Sequence, residues 1–583
     1  MNSRFQAVEN WLPFIPAALA VAAALPLALA GAGLPLDDAY IFRRYAENLA
    51  LGHGFSFNPG ETSFGCTSFL WPVLVSPWLR LFGASAYLYV VQALGILAFA
   101  GTALLAGLIT QELTRSRLFA LAAGLLVVAS PAQFMNAVSG METPLFGFEA
   151  ALLVWLCVRY EFRPILLGAL CGLLFLTRPE GLGLALLVPL AFILKRQASA
   201  RKLLAFIISF GVPTIPYLAW VHYHTGNFLP TTYLGKIMAA DPNSLDRPLP
   251  QKIVLAFFSL GDGWIKLTAP FPFLGFLLLA TALFLGLSLL RDSLEKRVTF
   301  FPGFFLLVCL IFLAAAYGLV ASSGSGFPIS PIFILLGLAL DLDLRKKRES
   351  FSPVLFVLIG LLFLPASYGF GFPVSPPFGG YYHRYIAVVM LSLAIGGCAG
   401  LFRIYQGMAG RWPALKNRFI FPVGFALFAL YLGYLFFPQW QEGRKVFIHE
   451  VSLNEGLRRE AAEWIREHTA KDAKVLVGYT GLGVVGGGCG RYVYDLGALI
   501  NPDIFTYYRD TKPLTEKRWL RVLDYIRDRG VTWYVTFHYP YHPVPDPARS
   551  PGFQEMARLG SPGEPTSPYE QIRIYRIFPQ PNP

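Results

Sequence analysis

Apolar and polar positions separate into long blocks along this chain. The uninterrupted apolar runs Trp11 to Gly33, Leu203 to His222, Phe301 to Ala321 and Phe419 to Phe437 each approach the roughly 20 residues a helix needs to cross a bilayer. Polar segments lie between such runs at Asp37 to Tyr87, Asn136 to Met141, Tyr223 to Leu255 and Gly371 to Arg384, and a long tail starts at Gln439. In the tail the period changes. Leu453 to His468 and Thr515 to Arg529 carry helical amphipathic spacing, whereas Lys474 to Val477, Tyr492 to Tyr494, Thr532 to Phe537 and Gln571 to Ile577 read as short strands. The pattern predicts an α-helical polytopic membrane protein with a C-terminal soluble α/β domain.

Composition agrees: 55% of the 583 residues are hydrophobic and only 14% charged, which excludes an ordinary soluble enzyme. The net charge of +13 does not point to nucleic acid, because the cations cluster between apolar runs. These clusters are Arg115/Arg117, Arg159/Arg163, Lys195/Arg196/Arg201/Lys202, Arg291/Lys296/Arg297, Arg345/Lys346/Lys347/Arg348 and Arg403/Arg411/Lys416/Arg418. Cations near span ends mark the cytoplasmic side, so an even number of crossings separates any two clusters. Leu118 to Ser130 and Glu142 to Val158 then become two spans joined by Pro131 to Asn136, and Pro164 to Leu194 becomes a hairpin with Arg178-Pro-Glu180 at its tip.

The further spans fall near 203 to 222, 270 to 290, 301 to 321, 329 to 341, 353 to 370, 385 to 402 and 419 to 437, about thirteen in all, including short or broken helices. The expected domains are a membrane bundle over 1–437, with its amino terminus inside, and an outer α/β domain over 438–583. Short helices are tolerated where they line a cavity, so a cavity in the outer half of the bundle follows. Ala28-Leu-Ala30 has the look of a signal-peptidase site, but the apolar run is too long for one, and a retained helix is expected.

Among the six cysteines, Cys157, Cys171, Cys309 and Cys398 lie in apolar runs, and no metal-ligand or redox spacing is present. Cys66 and Cys489 fall in polar segments, and no disulfide between them is expected.

Candidate chemistry concentrates in the outer segments. Asp37 and Asp38 directly follow the first span, where desolvation raises a carboxyl toward the range of a general base; helix capping is the competing role. The amphipathic helix that follows puts Ile41, Phe42, Tyr45, Ala46 and Leu49 on one face. Asp38 lies near that face and suits a cap, Asp37 lies on the polar edge and suits chemistry, and Arg44 follows about two turns along the same edge. Arg43 has Glu47 at i+4 to pair with.

His53 lies in a turn-rich loop that suits a re-entrant lid or an interfacial anchor equally. Glu142 starts a descending helix, and Arg178 and Glu180 stand at membrane depth, where ionisable groups are functional by default. Tyr233 and Lys236, with Tyr382, His383 and Arg384, bring cations and hydrogen-bonding groups to span ends. That chemistry fits a lipid-linked phosphate, and aromatic-belt anchoring is the alternative. In the tail, Gly481-Leu-Gly-Val-Val-Gly486 matches a dinucleotide fingerprint. Its context argues for tight turns in a loop, because Asp495 follows too soon and no nicotinamide cofactor is expected outside the membrane.

Several blocks together resemble the bacterial membrane glycosyltransferases of the GT-C superfamily: Asp37-Asp-Ala-Tyr-Ile-Phe-Arg-Arg-Tyr-Ala-Glu-Asn-Leu49, Gly52-His-Gly-Phe-Ser-Phe-Asn-Pro-Gly-Glu61, Met141-Glu-Thr-Pro-Leu145, Arg178-Pro-Glu-Gly181, Gly226-Asn-Phe-Leu-Pro-Thr-Thr-Tyr233, Trp464-Ile-Arg-Glu467 and Val493-Tyr-Asp-Leu-Gly497. Within that superfamily the blocks resemble the terminal β-(1→2)-arabinofuranosyltransferases of mycobacterial cell walls and their uncharacterised relatives, although Thr62 to Trp71 departs from that group's pattern.

The resemblance implies a GT-C-like bundle in the bacterial cytoplasmic membrane with an extracytoplasmic soluble domain. It implies transfer of a pentose such as arabinofuranose, or of a hexose, from a polyprenyl-phosphate donor to an envelope glycan or lipid acceptor. An Asp of the first outer loop is the base. In this chain Asp37, or else Asp38, takes that role; Arg44, Lys236, His383 and Arg384 meet the donor phosphate; and His53, Glu142, Arg178, Glu180, Tyr233 and Tyr382 are further candidates for contact with substrate. No nucleotide or redox cofactor is needed, and the role of a divalent metal stays open. A flippase for lipid-linked sugar is the rival class. It predicts repeats between halves, which this sequence lacks.

Overall fold

The computed structural model describes residues 12–29, 33–194, 197–226 and most of 443–578, with a few isolated positions between. The amino-terminal part is a helical bundle: α1 (Ile15–Leu29), α2 (Asp37–Ala50), α3 (Leu70–Phe82), α4 (Tyr87–Thr114), α5 (Arg117–Ala129), α6 (Pro131–Ala137), α7 (Thr143–Arg159), α8 (Pro164–Thr177), α9 (Gly181–Leu194) and α10 (Ala200–Thr225). Among the described residues three helical stretches are long and apolar enough to cross a membrane: Leu12–Leu29, Ala84–Thr114 and Ala200–Thr225. The spans expected at 270 to 290, 301 to 321, 329 to 341 and 353 to 370 lie outside the described residues.

Two features of the bundle follow from local sequence. The α8–α9 hairpin has Arg178 to Glu180 at its tip, as the flanking cations predict. Helices α8 and α10 pack closely because Gly168 and Gly172, four residues apart, present backbone to the partner. A Cβ at Gly168 would stand 2.4 Å from the Phe206 carbonyl, and one at Gly172 would stand 2.5 Å from Pro213 Cγ. Small residues at this spacing let membrane helices approach.

One linker differs from expectation. Pro131 to Asn136 reads as a connection between spans but is helical, bent 63° from α5. Pro131 at the first helical position loses no hydrogen bond, and the Ser130 hydroxyl caps the turn by accepting from the Gln133 N–H at 3.4 Å.

The carboxy-terminal part begins with helix 443–453, which passes through a π-helical turn (Asn454–Arg458) into α11 (Arg459–His468). Five strands follow: β1 (Lys474–Val477), β2 (Tyr492–Asp495), β3 (Trp533–Phe537), β4 (Phe553–Leu559) and β5 (Ile572–Ile577). Helix α12 (Glu516–Arg529) precedes β3. They form one sheet in the order β2-β1-β3-β5-β4, parallel across β2, β1 and β3 and antiparallel from β3 to β5 and β4.

Strand side chains alternate between two cores. Leu476, Tyr494, Tyr534 and Tyr575 face Trp519, Val522, Tyr525 and Ile526 of α12. Val475, Val477, Val493, Val535 and Ile574 join a second core that continues into the bundle through Tyr40, Phe57, Trp71 and Met141. This shared core presses the sheet domain onto α2 and the loop after it.

Candidate active site

The site forms around the first turn of α2. Leu36 is extended (φ −110°, ψ 127°) and supplies no side-chain cap, so the helix start depends on contacts from elsewhere. The π-helical turn provides them. Asn454 Nδ2 donates to the Leu34 carbonyl at 2.8 Å, the Tyr40 hydroxyl donates to Glu455, and the Leu34 N–H donates to that same hydroxyl at 3.1 Å. Tyr87 buttresses the opposite side by donating to the Ala39 carbonyl at 2.5 Å.

Asp37 is half-buried, and its carboxylate points into the Gly481–Gly486 segment. The Gly483 N–H donates to Oδ2 and the Val484 N–H to Oδ1, each at 2.9 Å. The segment is a π-helical turn (Leu482–Gly486) and not the plain loop that its glycines suggest. Gly483 must be glycine, because a Cβ there would lie 1.9 Å from the Asp37 carbonyl oxygen.

The turn is held from behind. Gly481 (φ +85°) packs on the Phe537 ring, and Cys489 Sγ donates to the Gly486 carbonyl at 3.3 Å. Cys66 and Cys489 are free thiols.

Burial pushes the Asp37 carboxyl above its ordinary value, opposed by the Arg458 guanidinium and by the two amides, with Asp38 adding to the rise. Arg458 is itself buried, held by Asn454 Oδ1 at 2.6 Å and stacked 5.3 Å from the Phe537 ring centroid. Glu450, two turns before the π-helical residues end, is also raised by burial, opposed by Arg458 and His449, with Asp37 contributing to the rise. It lines a crevice with Pro35, Leu36, Asn136, Ser139 and Phe447 beside the start of α2. The arrangement presents an oriented carboxylate of raised proton affinity beside a buried cation and a mostly apolar crevice, features that suit a general base.

The other sequence candidates divide into groups. Arg44 is half-buried, and its Nε donates to the Phe57 carbonyl at 3.0 Å, tying α2 to the loop that follows it. Arg43 pairs with Glu47 at 2.7 Å. His53 is exposed at the tip of that loop.

Glu142, Arg178 and Glu180 come together: Arg178 donates to Glu142 Oε1 at 2.5 Å and to Glu180 Oε1 at 2.8 Å, with Arg178 and Glu142 fully buried. Glu142 Oε2 and the neighbouring Thr143 hydroxyl are buried without a hydrogen-bond partner among the described residues. Leu34, three residues before Asp37, has its side chain over Gly140, two residues before Glu142. Tyr233, Lys236, Tyr382, His383 and Arg384 lie outside the described residues. Among the described residues, no group of three or more His, Cys, Asp and Glu side chains is placed to hold a metal ion.

Sequence reasoning misses Arg458, Glu450, Asn454 and the Gly483 and Val484 amides. A backbone donor leaves no side-chain signature; its one trace is the density of glycines from Gly481 to Gly490.

No protein-family model matches the chain, and no curated protein matches it by sequence. Solved structures do match. The chain is similar to the apo oligosaccharyltransferase of Archaeoglobus fulgidus at 14% identity, TM-score 0.53, over 90% of this chain and 69% of that one. It also aligns with ArnT from Cupriavidus metallidurans in the apo state at 14% identity, TM-score 0.49, over 98% of this chain and 100% of that one, and with the same protein bound to undecaprenyl phosphate at 15% identity, TM-score 0.47, over 96% and 99%. The fold is thus similar to that of the archaeal oligosaccharyltransferase.

Proposed function

We propose that this chain is an inverting GT-C-type glycosyltransferase that moves a sugar from a polyprenyl-phosphate donor to a cell-envelope glycan or lipid acceptor. In this reading it lies in the bacterial cytoplasmic membrane, with a bundle over 1–437 and a domain over 438–583 that faces outward with the site. The observation that carries the reading is the Asp37 carboxylate, raised in proton affinity and fixed in the first turn of α2, on a fold similar to that of an oligosaccharyltransferase.

Asp37 accepts the proton of an acceptor hydroxyl while that oxygen bonds to the anomeric carbon. The bond from that carbon to phosphate oxygen breaks on the opposite face, and its electron pair leaves with the polyprenyl phosphate. Cations stabilise the charge that develops on the leaving phosphate; Arg44, Lys236, His383 and Arg384 are assigned this role. Asp38 sits in the same helical turn, and its charge adds to the rise at Asp37. The sugar is a pentose such as arabinofuranose, or a hexose.

The test is sugar transfer by the purified full-length protein in liposomes, with decaprenyl-phosphate arabinofuranose and undecaprenyl-phosphate hexoses offered against arabinan, lipid A and lipid-linked glycan acceptors. Loss of turnover in Asp37→Asn with donor binding retained supports the reading. Loss in Asp38→Asn alone moves the base to Asp38. Donor binding and lipid translocation without transfer in the wild type, unchanged in both variants, identifies a flippase.

A further inference from the structure

We infer that the sheet domain completes the catalytic centre: the Gly483 and Val484 amides and the Arg458 guanidinium are positioning groups for the Asp37 carboxylate. The inference rests on the reading of Asp37 as base and adds what sets its orientation and basicity.

Geometry carries the argument. A carboxylate on a helix edge rotates freely about its last torsion unless both oxygens are held. Here each oxygen accepts one backbone N–H at 2.9 Å from consecutive residues of one turn, which fixes the plane of the group. Each oxygen has two lone pairs, so the clamp leaves one on each for the acceptor hydroxyl. The clamp orients the base without consuming it.

The approach is closer than docking of two domains requires. The turn presses its Gly483 Cα against the Asp37 backbone so tightly that no side chain fits between them. Phe537 ties the parts together, with Gly481 against its ring edge and Arg458 over its face. The π-helical turn then joins Arg458 to the other side of the site, because Asn454 holds both Arg458 and the Leu34 carbonyl. The π-helical turn carries Asn454, Glu455 and Arg458 together, and such π-turns are frequent at functional sites. Thus one ring, one turn of π-helix and one glycine turn deliver two backbone donors and one cation to the neighbourhood of a carboxylate more than 400 residues earlier in the chain.

The charged groups around Asp37 are Asp38 on its own helix and Arg458 and Glu450 on the helix beside it; the glycine turn contributes backbone alone. Loss of Arg458 therefore leaves two carboxylates to oppose ionisation of Asp37, and loss of an amide removes a bond that favours the ionised form. Both changes raise its proton affinity.

The direct test reads the Asp37 carboxyl by infrared difference titration of the full-length protein, its band identified by its absence in Asp37→Asn. Arg458→Gln and Val484→Pro, which removes one N–H while leaving the side chain apolar, are compared with wild type and with Arg458→Lys. The expected result is an upward shift of about one pKa unit or more in Arg458→Gln and Val484→Pro and a value near wild type in Arg458→Lys. In transfer assays with the donor and acceptor that the wild type turns over, the acid limb of the kcat profile moves to higher pH in the two shifted variants. There kcat near neutrality falls roughly tenfold while the donor KM holds.

An unchanged Asp37 titration and an unchanged pH profile in folded Arg458→Gln and Val484→Pro overturn the inference and leave the Asp37 reading intact. Full activity of Asp37→Asn overturns that reading, whatever the titration shows.

Discussion

Val484 lies 447 residues after Asp37, and its backbone N–H donates to Asp37 Oδ1 at 2.9 Å. The bond joins the first helical turn after α1 to a turn of the sheet domain, so the site exists only when the two parts of the chain are together. It requires the glycine before it, since a Cβ at Gly483 would overlap the Asp37 carbonyl oxygen. Gly483→Ala is therefore expected to push the turn off α2 and to cost about 1–3 kcal/mol. Thermal unfolding in detergent reads the loss, and hydrogen exchange reads faster opening of residues 481–487. Gly456, with nothing within 4 Å of its Cβ position, is the control: Gly456→Ala leaves the exchange of 481–487 at the wild-type rate.

A second tie joins the same parts. Asn58 Nδ2 donates to the Val493 carbonyl at 2.9 Å, and the Val493 N–H donates to Asn58 Oδ1 at 3.0 Å. The side-chain amide thereby pairs with β2, which is an edge strand, as a neighbouring strand would. Asn58→Ala leaves two buried backbone groups without these partners, at a cost of about 1–3 kcal/mol. Limited proteolysis is expected to cut between the bundle and the sheet domain faster in Asn58→Ala than in wild type, and Asn58→Asp, which keeps the acceptor but loses the donor, falls between them.

Much of this fold was legible from hydrophobic spacing. The α8–α9 hairpin, helix α2 with Ile41, Phe42, Tyr45 and Ala46 buried, and four of the five strands follow from it. Strand β4 was not legible, because its exposure alternates residue by residue but its polarity does not follow: Glu555 stands on the half-buried side and Met556 on the exposed side. At the site, the Asp37-Asp38 pair stood out because carboxylates at a span end are costly and visible. Its partners did not stand out. Arg458 reads as one more cation on an amphipathic helix, and a backbone N–H at Val484 is written in no side chain. The burial of Tyr40 and Asn48 on the side of α2 expected to be polar has the same origin: the sheet domain and the following loop cover it.

The buried trio makes a sharper energetic prediction. Arg178 pairs with Glu142 at 2.5 Å and Glu180 at 2.8 Å, and both Arg178 and Glu142 are sealed from solvent. Arg178→Ala strands a buried carboxylate and is expected to destabilise the fold by about 3–5 kcal/mol. Replacing two of the three charges, Glu142→Gln with Arg178→Met, is expected to recover most of that loss, because the sealed carboxylate is then neutral and the one left behind, Glu180, is partly exposed. Thermal unfolding of Glu142→Gln, Arg178→Met and the double variant forms a cycle that measures the coupling. Additive losses in that cycle contradict the pairing.

Asp495 carries the pH prediction. It is 1% exposed, and its Oδ1 accepts the Leu499 and Ile500 N–H groups at 3.1 Å each, closing the loop after β2. Burial outweighs these bonds and raises the carboxyl from 3.8 to about 6. Below the lower value the folded and unfolded chains both hold the proton, and the group contributes nothing to pH dependence. Between the two values the unfolded chain has lost the proton and the folded chain keeps it, so stability falls as pH rises through this window, and above it the contribution is constant. The expected loss is about 3 kcal/mol in all, from a shift of roughly two units. Asp495→Asn keeps an oxygen acceptor and cannot ionise, so its unfolding midpoint is expected to fall less steeply than that of wild type between about pH 4 and pH 6. Parallel curves for the two proteins across that range contradict the assignment.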